Sequence, residues 1–128
     1  MKSPIGIFDS GIGGLSILEK LEEKLPHENF IYLADNLNCP YGNKTKEEIF
    51  FLSHKNCKKL IEFNCKIIVI ACNTATTNSI KKIREIISIP IIGIEPAIKP
   101  AINYTKTKNI GILATENTLT SKLFFKTL

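Results

Sequence analysis

Ile67-Ile68-Val69-Ile70-Ala71-Cys72-Asn73-Thr74-Ala75 is the stretch of sequence that decides the fold of this chain. Its first four residues are β-branched aliphatics, which is typical of a buried parallel strand. Asn73 or Thr74 can then cap a following helix, so Cys72 is predicted where a strand ends and a helix begins. Open α/β sheets bind their ligands at this junction, and the helix dipole there favours an ionised thiol. The alternative interpretation of Cys72 is a small buried hydrophobic residue.

The alternation of strand-like and helix-like segments continues on both sides of this stretch. Further strands are predicted at residues 4–8, 30–34, 91–94 and 109–114. Leucines at helical spacing follow the first strand, Thr45 and Glu48 form a capping box for a second helix, and a last helix is expected from about Thr118. The pattern predicts one α/β domain over residues 1–128, with an open parallel sheet of about five strands and helices on both faces.

The composition, net charge and cysteine spacing of the chain argue against several classes of partner and site. The chain has 128 residues and a net charge of +5, but its basic residues are scattered lysines with Arg84 as the only arginine, so no nucleic-acid partner is expected. No apolar run approaches the roughly 20 residues that cross a bilayer, so no membrane partner is expected. The start of the chain lacks a signal-peptide pattern, which predicts a cytoplasmic protein. The four cysteines include no C-x-x-C pair, so no metal site is expected.

Polar residues follow the carboxyl end of each predicted strand. Because parallel strands end at the same edge of a sheet, these loops are expected to share one crevice. Several helix amino termini would point into it, which suits a carboxylate ligand. The residues are Asp9, Ser10, Tyr41, Gly42, Cys72, Asn73, Thr74, Glu95, Thr115 and Thr118.

The glycine-rich turn at residues 9–14 has a competing interpretation. Gly11, Gly13 and Ser16 fall on a weakened G-x-G-x-x-G pattern, and Asp35 ends the second strand where a ribose-binding acid would lie. A dinucleotide-binding half of an oxidoreductase is therefore an alternative. Asp9 counts against it, because its negative charge would approach a pyrophosphate.

Five motifs in order resemble those of the aspartate/glutamate racemase family, and of bacterial glutamate racemase in particular. The resemblance covers essentially the whole chain. The motifs are Phe8-Asp9-Ser10-Gly11-Ile12-Gly13-Gly14, Pro40-Tyr41-Gly42, Ala71-Cys72-Asn73-Thr74-Ala75, Gly93-Ile94-Glu95-Pro96-Ala97 and Gly111-Ile112-Leu113-Ala114-Thr115.

The resemblance implies a cofactor-independent isomerase that interconverts L- and D-glutamate for peptidoglycan biosynthesis, and hence for cell-wall biogenesis and cell shape. In such enzymes two cysteines flank the α-carbon of the substrate, one removing the α-proton and the other delivering a proton to the opposite face. Cys72 matches the first cysteine, and Asp9 matches the acidic residue that assists it. The positions that match substrate contacts are Asp9, Ser10, Tyr41, Gly42, Asn73, Thr74, Thr115 and Thr118.

The chain departs from the family where the second cysteine is expected. That cysteine belongs to a Gly-Cys-Thr-His motif in a second α/β domain, which this sequence does not contain. Cys39 is interpreted as a spare loop thiol, and Cys57 and Cys65 as buried structural residues. We therefore expect an amino-terminal half of a racemase, inactive or impaired alone, that contacts a missing carboxy-terminal domain or forms a homodimer. The alternative is a catalytically silent, truncated domain that only binds carboxylates.

Overall fold

The computed structural model describes residues 3–126, which form a parallel sheet covered by helices. The order of the strands across the sheet is β2-β1-β3-β4, and all three pairings are parallel. The strands are β1 (Ile5–Asp9), β2 (Phe30–Ala34), β3 (Ile67–Ile70) and β4 (Ile91–Gly93). The predicted α/β class is confirmed.

Helices follow the strands in the expected alternation. The capping box at the start of α2 is confirmed, because Thr45 and Glu48 each accept a hydrogen bond from the other's backbone N–H. The helices are α1 (Leu15–Lys24), α2 (Lys46–Glu62), α3 (Asn73–Ile86), α4 (Ile98–Tyr104), α5 (Glu116–Leu119) and α6 (Lys122–Phe125), and a 3-10 turn covers Tyr41–Asn43.

The hydrophobic core lies on both faces of the sheet, because side chains alternate along each central strand. Phe8 and Ile70 point to one face, where they pack with buried residues of α2 and α3. Ile7 and Val69 point to the other face and pack against leucines of α1. Helices therefore cover both faces, as predicted.

The prediction of a fifth strand at residues 109–114 is wrong. This segment has no strand assignment, and Leu113 within it is fully exposed. A strand exists only where a neighbour supplies hydrogen bonds, and the sheet of the described residues ends at β4. The aliphatic pattern is present in this segment, but the segment pairs with none of the four described strands.

The end of the described chain also differs from the prediction. A single last helix was expected, whereas α5 and α6 are separate one-turn helices. Ser121 causes the break, because its side chain caps α6 by accepting a hydrogen bond from the backbone N–H of Phe124 at 3.1 Å. None of the helices described between residues 3 and 126 is long and apolar enough to span a bilayer.

Candidate active site

Cys72 lies between β3 and α3, at the carboxyl edge of the sheet. The residue that caps α3 is Cys72 itself, and its Sγ accepts a hydrogen bond from the backbone N–H of Ala75 at 3.4 Å. The predicted cap at Asn73 or Thr74 is therefore wrong by one or two residues, because the helical turn already begins at Asn73. The thiol sits directly at the positive end of the α3 dipole.

Burial decides the acidity of this thiol. Cys72 is only 7% exposed, and this desolvation raises the pKa of its thiol above the usual cysteine value. Hydrogen bonds from Ser10 and from the Ala75 backbone oppose the shift, while the nearby negative charge of Asp9 adds to it. The expectation that the helix dipole makes this thiol more acidic is wrong, because desolvation is the larger effect.

The glycine-rich turn after β1 brings two more predicted residues to the thiol. Ser10 Oγ lies 3.3 Å from Cys72 Sγ, within hydrogen-bond distance. The Asp9 carboxylate is buried, and its Oδ2 accepts hydrogen bonds from the backbone N–H groups of Gly14 at 3.0 Å and Gly11 at 3.3 Å. Asp9 thus holds the turn in the shape that presents Ser10 to Cys72.

These hydrogen bonds also bear on the dinucleotide alternative. A dinucleotide-binding turn offers its backbone N–H groups to a pyrophosphate. Here the N–H groups of Gly11 and Gly14 already donate to Asp9. Two N–H groups of the turn are thus already occupied by its own carboxylate, so the geometry disfavours dinucleotide binding.

Tyr32 is a site residue that the sequence analysis missed. Its hydroxyl lies 2.9 Å from the Gly11 carbonyl oxygen and 3.3 Å from Asp9 Oδ2. Burial and the Asp9 carboxylate raise the pKa of Tyr32 to about 12, so the phenol stays protonated and can donate. The sequence shows only that a tyrosine lies in the second strand. Its contact with the turn could be inferred only if β2 were known to lie next to β1.

Three predicted threonines meet on the other side of the cavity. Thr74 Oγ1 lies 2.8 Å from Thr115 Oγ1 and 3.3 Å from Thr118 Oγ1, and the last two atoms are 3.0 Å apart. Thr74 belongs to α3, whereas Thr115 caps α5 and Thr118 lies within it. We call Thr74, Thr115 and Thr118 the threonine cluster.

The structure does not bring Tyr41 and Gly42 into the cavity wall. The Tyr41 side chain is buried against Phe8, and its hydroxyl donates to Asp35 Oδ2 at 2.6 Å. Burial and this carboxylate raise the pKa of Tyr41. Gly42 lies against Thr115, since a Cβ on Gly42 would be 2.8 Å from Thr115 Cγ2. Gly42 thus packs against a wall residue from outside the cavity, and direct contact of Tyr41 and Gly42 with a ligand stays a prediction.

The remaining cysteines divide into two kinds. Cys57 and Cys65 are buried, as predicted, and desolvation raises the pKa of each thiol, that of Cys57 to about 12. Cys39 is exposed and lines the same cavity as Cys72, which its loop position did not predict. Glu95 is exposed and is not part of the cavity wall.

The predicted residues enclose a cavity of about 430 Å³ at the carboxyl edge of the sheet. Its volume suits a small metabolite, and it offers a thiol, several hydroxyls and the amino terminus of α3. The walls are Asp9, Ser10, Gly11, Ile12, Gly13, Cys39, Ala71, Cys72, Asn73, Thr74, Ala114, Thr115 and Thr118. Seven of the ten residues that the sequence predicted at this edge line the cavity, and Tyr41, Gly42 and Glu95 do not.

These features define an open α/β sheet protein with a buried cysteine in a ligand cavity at the carboxyl edge. The profile of the family described as Asp/Glu/Hydantoin racemase matches residues 5–128. The chain therefore belongs to the Asp/Glu/hydantoin racemase family, which confirms the resemblance.

Known members of this family share both the sequence and the fold. Glutamate racemase of Ralstonia pickettii is 45% identical over 127 residues. The crystal structure of Escherichia coli glutamate racemase in complex with L-glutamate and the activator UDP-MurNAc-Ala matches 98% of this chain with a TM-score of 0.89 at 35% identity. Glutamate racemase of Aquifex pyrophilus matches 97% with a TM-score of 0.88 at 34% identity.

The match extends over only part of each relative. It includes 99% of this chain but 45% of the Ralstonia pickettii protein, and 48% and 50% of the Escherichia coli and Aquifex pyrophilus chains. The chain thus spans about half the length of the relatives that it matches.

Proposed function

We propose that this chain is the amino-terminal half of a cofactor-independent glutamate racemase and supplies Cys72 as one of two acid–base thiols. The observation that carries the proposal is the position of Cys72 Sγ, which caps α3, lies 3.3 Å from Ser10 Oγ and lines the cavity. The thiol is thereby in contact with whatever occupies the cavity.

The raised pKa of Cys72 suits the removal of an α-proton. The α-proton of an amino acid is weakly acidic, so the group that removes it must be a strong base. A thiolate formed from a thiol of raised pKa has a higher proton affinity than an ordinary one, and Ser10 and the Ala75 N–H stabilise it by hydrogen bonds. Only a small fraction ionises at neutral pH, so activity should rise as the pH increases through the alkaline range.

The hydroxyl groups and the amino terminus of α3 are suited to hold the carboxylates of glutamate. Asn73 and Thr74 lie in the first turn of α3, where the dipole attracts negative charge. The threonine cluster adds three hydroxyl donors at the same wall. A carboxylate bound there would leave the α-carbon near Cys72 and allow these dipoles to stabilise the charge that develops on it.

Inversion requires a second acid on the opposite face of the α-carbon. We propose that it comes from the other half of a longer racemase, since the relatives are about twice the length of this chain. Ile12, which lines the cavity, is 71% exposed, and Leu113 is fully exposed. Exposed aliphatic side chains beside a cavity fit a surface that another domain covers. The product would be D-glutamate for peptidoglycan, made in the cytoplasm.

The test is α-proton exchange. The chain is incubated with L- or D-glutamate in D2O and the α-proton signal is followed by NMR. We expect the chain alone to exchange the α-proton of one enantiomer without inverting it, because only one thiol is proposed to act. Cys72→Ala should abolish the exchange, while Cys39→Ala, at the same cavity, should retain it.

Each other outcome has a definite meaning. Exchange that survives in Cys72→Ala would remove Cys72 from the mechanism. Full inversion by the wild-type chain would show that it contains both acids. Binding of glutamate without exchange would favour the silent carboxylate-binding domain, and tight binding of NAD would favour the oxidoreductase alternative.

A further inference from the structure

We infer that Asn117 is a positioning residue, which holds Thr115 and Thr118 beside Thr74 so that the threonine cluster faces the cavity. Asn117 does not line the cavity itself. The inference rests on the proposed function for the identity of the ligand, a carboxylate. The positioning role itself is argued only from hydrogen bonds within this chain.

Asn117 connects three separate segments of the protein. Its Nδ2 donates to the backbone carbonyl oxygens of Lys44 at 2.7 Å and Gly42 at 2.9 Å, which follow β2. The backbone carbonyl oxygen of Asn117 accepts a hydrogen bond from Asn78 Nδ2 in α3 at 3.0 Å. Residues more than 70 positions apart in the sequence are thus joined through one side chain.

The segment that carries Thr115 and Thr118 needs such an anchor. The helix α5 has only four residues, and a single turn of helix is unstable by itself. The preceding segment, residues 109–114, makes no strand, and Leu113 within it is fully exposed. Tertiary hydrogen bonds must therefore fix the position of α5. The two bonds donated by Asn117 connect it to Gly42 and Lys44, in and just after the 3-10 turn.

The short distances within the threonine cluster explain why the position of α5 matters. Gly42 lets the turn approach Thr115 closely, since even one added carbon would lie 2.8 Å from Thr115 Cγ2. The three hydroxyls are 2.8 to 3.3 Å apart, so each can exchange a bond to its neighbour for one to a carboxylate oxygen. A shift of about 1 Å in α5 would separate them from Thr74 and weaken binding.

The experiment compares Asn117→Ala and Asn117→Asp with the wild-type chain. The matched control is Asn103→Ala, because Asn103 is exposed in α4 and makes no side-chain hydrogen bond in the described part of the chain. We measure the hydrogen-exchange protection of the Thr118 amide, which donates to the Thr115 carbonyl at 3.0 Å, and the affinity for L-glutamate by NMR titration.

Asn117→Ala should lower both quantities by roughly tenfold, since two carbonyl groups lose their donor. Asn117→Asp should be as impaired at pH 7, because a carboxylate cannot donate to carbonyl oxygens. Its protection factor should recover partly at pH 4, where about half of an ordinary aspartic acid side chain carries a proton and can donate again. A general packing defect would not show this pH dependence, and Asn117→Ala should not show it either.

Two results would overturn the inference. One is unchanged protection of Thr118 in Asn117→Ala, and the other is equal loss in Asn103→Ala. Protection that falls in Asn117→Ala while wild type fails to bind glutamate would uphold the positioning role and reject the proposed function instead.

Discussion

The wall of the cavity around Cys72 and the segment after β4 differ in how completely they are packed. Asp9 and Cys72 are 5% and 7% exposed, and both have hydrogen-bond partners within the chain. Leu113 in the second region is fully exposed, and Ile112 is 38% exposed, although both are aliphatic. The thiol and the carboxylate beside it are packed within the chain, whereas the aliphatic side chains of Ile110, Ile112 and Leu113 are exposed.

The two regions should differ most in how much the truncation of a side chain lowers the free energy of unfolding. Ile83 is completely buried in the core under β3, so Ile83→Ala should reduce the free energy of unfolding by about 2–5 kcal/mol. Leu113→Ala removes a side chain that is already in water, so the change should stay within about 0.5 kcal/mol. Urea denaturation followed by circular dichroism measures both. A large loss in Leu113→Ala would show that residues 109–114 are packed in solution and would remove the contrast.

Two glycines give a smaller version of the same contrast. A Cβ on Gly14 would lie 2.8 Å from Ala71 Cβ and 2.9 Å from Tyr32 Oη, whereas a Cβ on Gly111 meets nothing within 4 Å. Gly14→Ala should therefore cost about 1–3 kcal/mol of unfolding free energy and disturb the turn that Asp9 organises. Gly111→Ala should be close to neutral. Thermal unfolding compares the two, and equal stability would mean that the turn adapts without cost.

The buried thiol of Cys57 should make the free energy of unfolding fall at alkaline pH. Burial raises the pKa of Cys57 to about 12, whereas an unfolded cysteine has a pKa of about 8.5. Between these values the folded chain holds a proton that the unfolded chain has lost. The contribution of Cys57 is thus fully present below about pH 8.5 and falls by about 1.4 kcal/mol per pH unit above it.

The measurement is the free energy of unfolding in urea from pH 7 to pH 10. Cys57→Ala should be less stable at pH 7 but should lose stability more slowly as the pH rises. Cys39→Ala is the control, since its exposed side chain is in water in both states. An unchanged slope in Cys57→Ala would show that this thiol is accessible to water.

The sequence predicted those features that depend on local pattern. The aliphatic run at residues 67–70 and the pair Thr45 and Glu48 determine a strand and a helix start without reference to the rest of the chain. The edge at which Asp9, Ser10 and Cys72 meet follows from the parallel alternation alone. The site could therefore be located before any coordinates were known.

The features that were missed depend on contacts between distant residues. Tyr32 reaches Asp9 only because β2 lies next to β1, and Asn117 reaches Gly42 across 75 positions of sequence. The predicted fifth strand has the correct composition, but pairing is a property of its neighbours. The pKa of Cys72 was misjudged because a sequence shows the helix dipole but not the depth of burial.

The proposed function requires glutamate to occupy the cavity against Cys72, and protection of this thiol from alkylation is a direct test of that contact. The chain is treated with iodoacetamide with and without saturating L-glutamate, and each cysteine is quantified by peptide mass spectrometry. We predict that glutamate slows the alkylation of Cys72 several-fold, while Cys57 stays unlabelled in both samples until the chain is unfolded. An identical rate at Cys72 with and without glutamate would contradict the account.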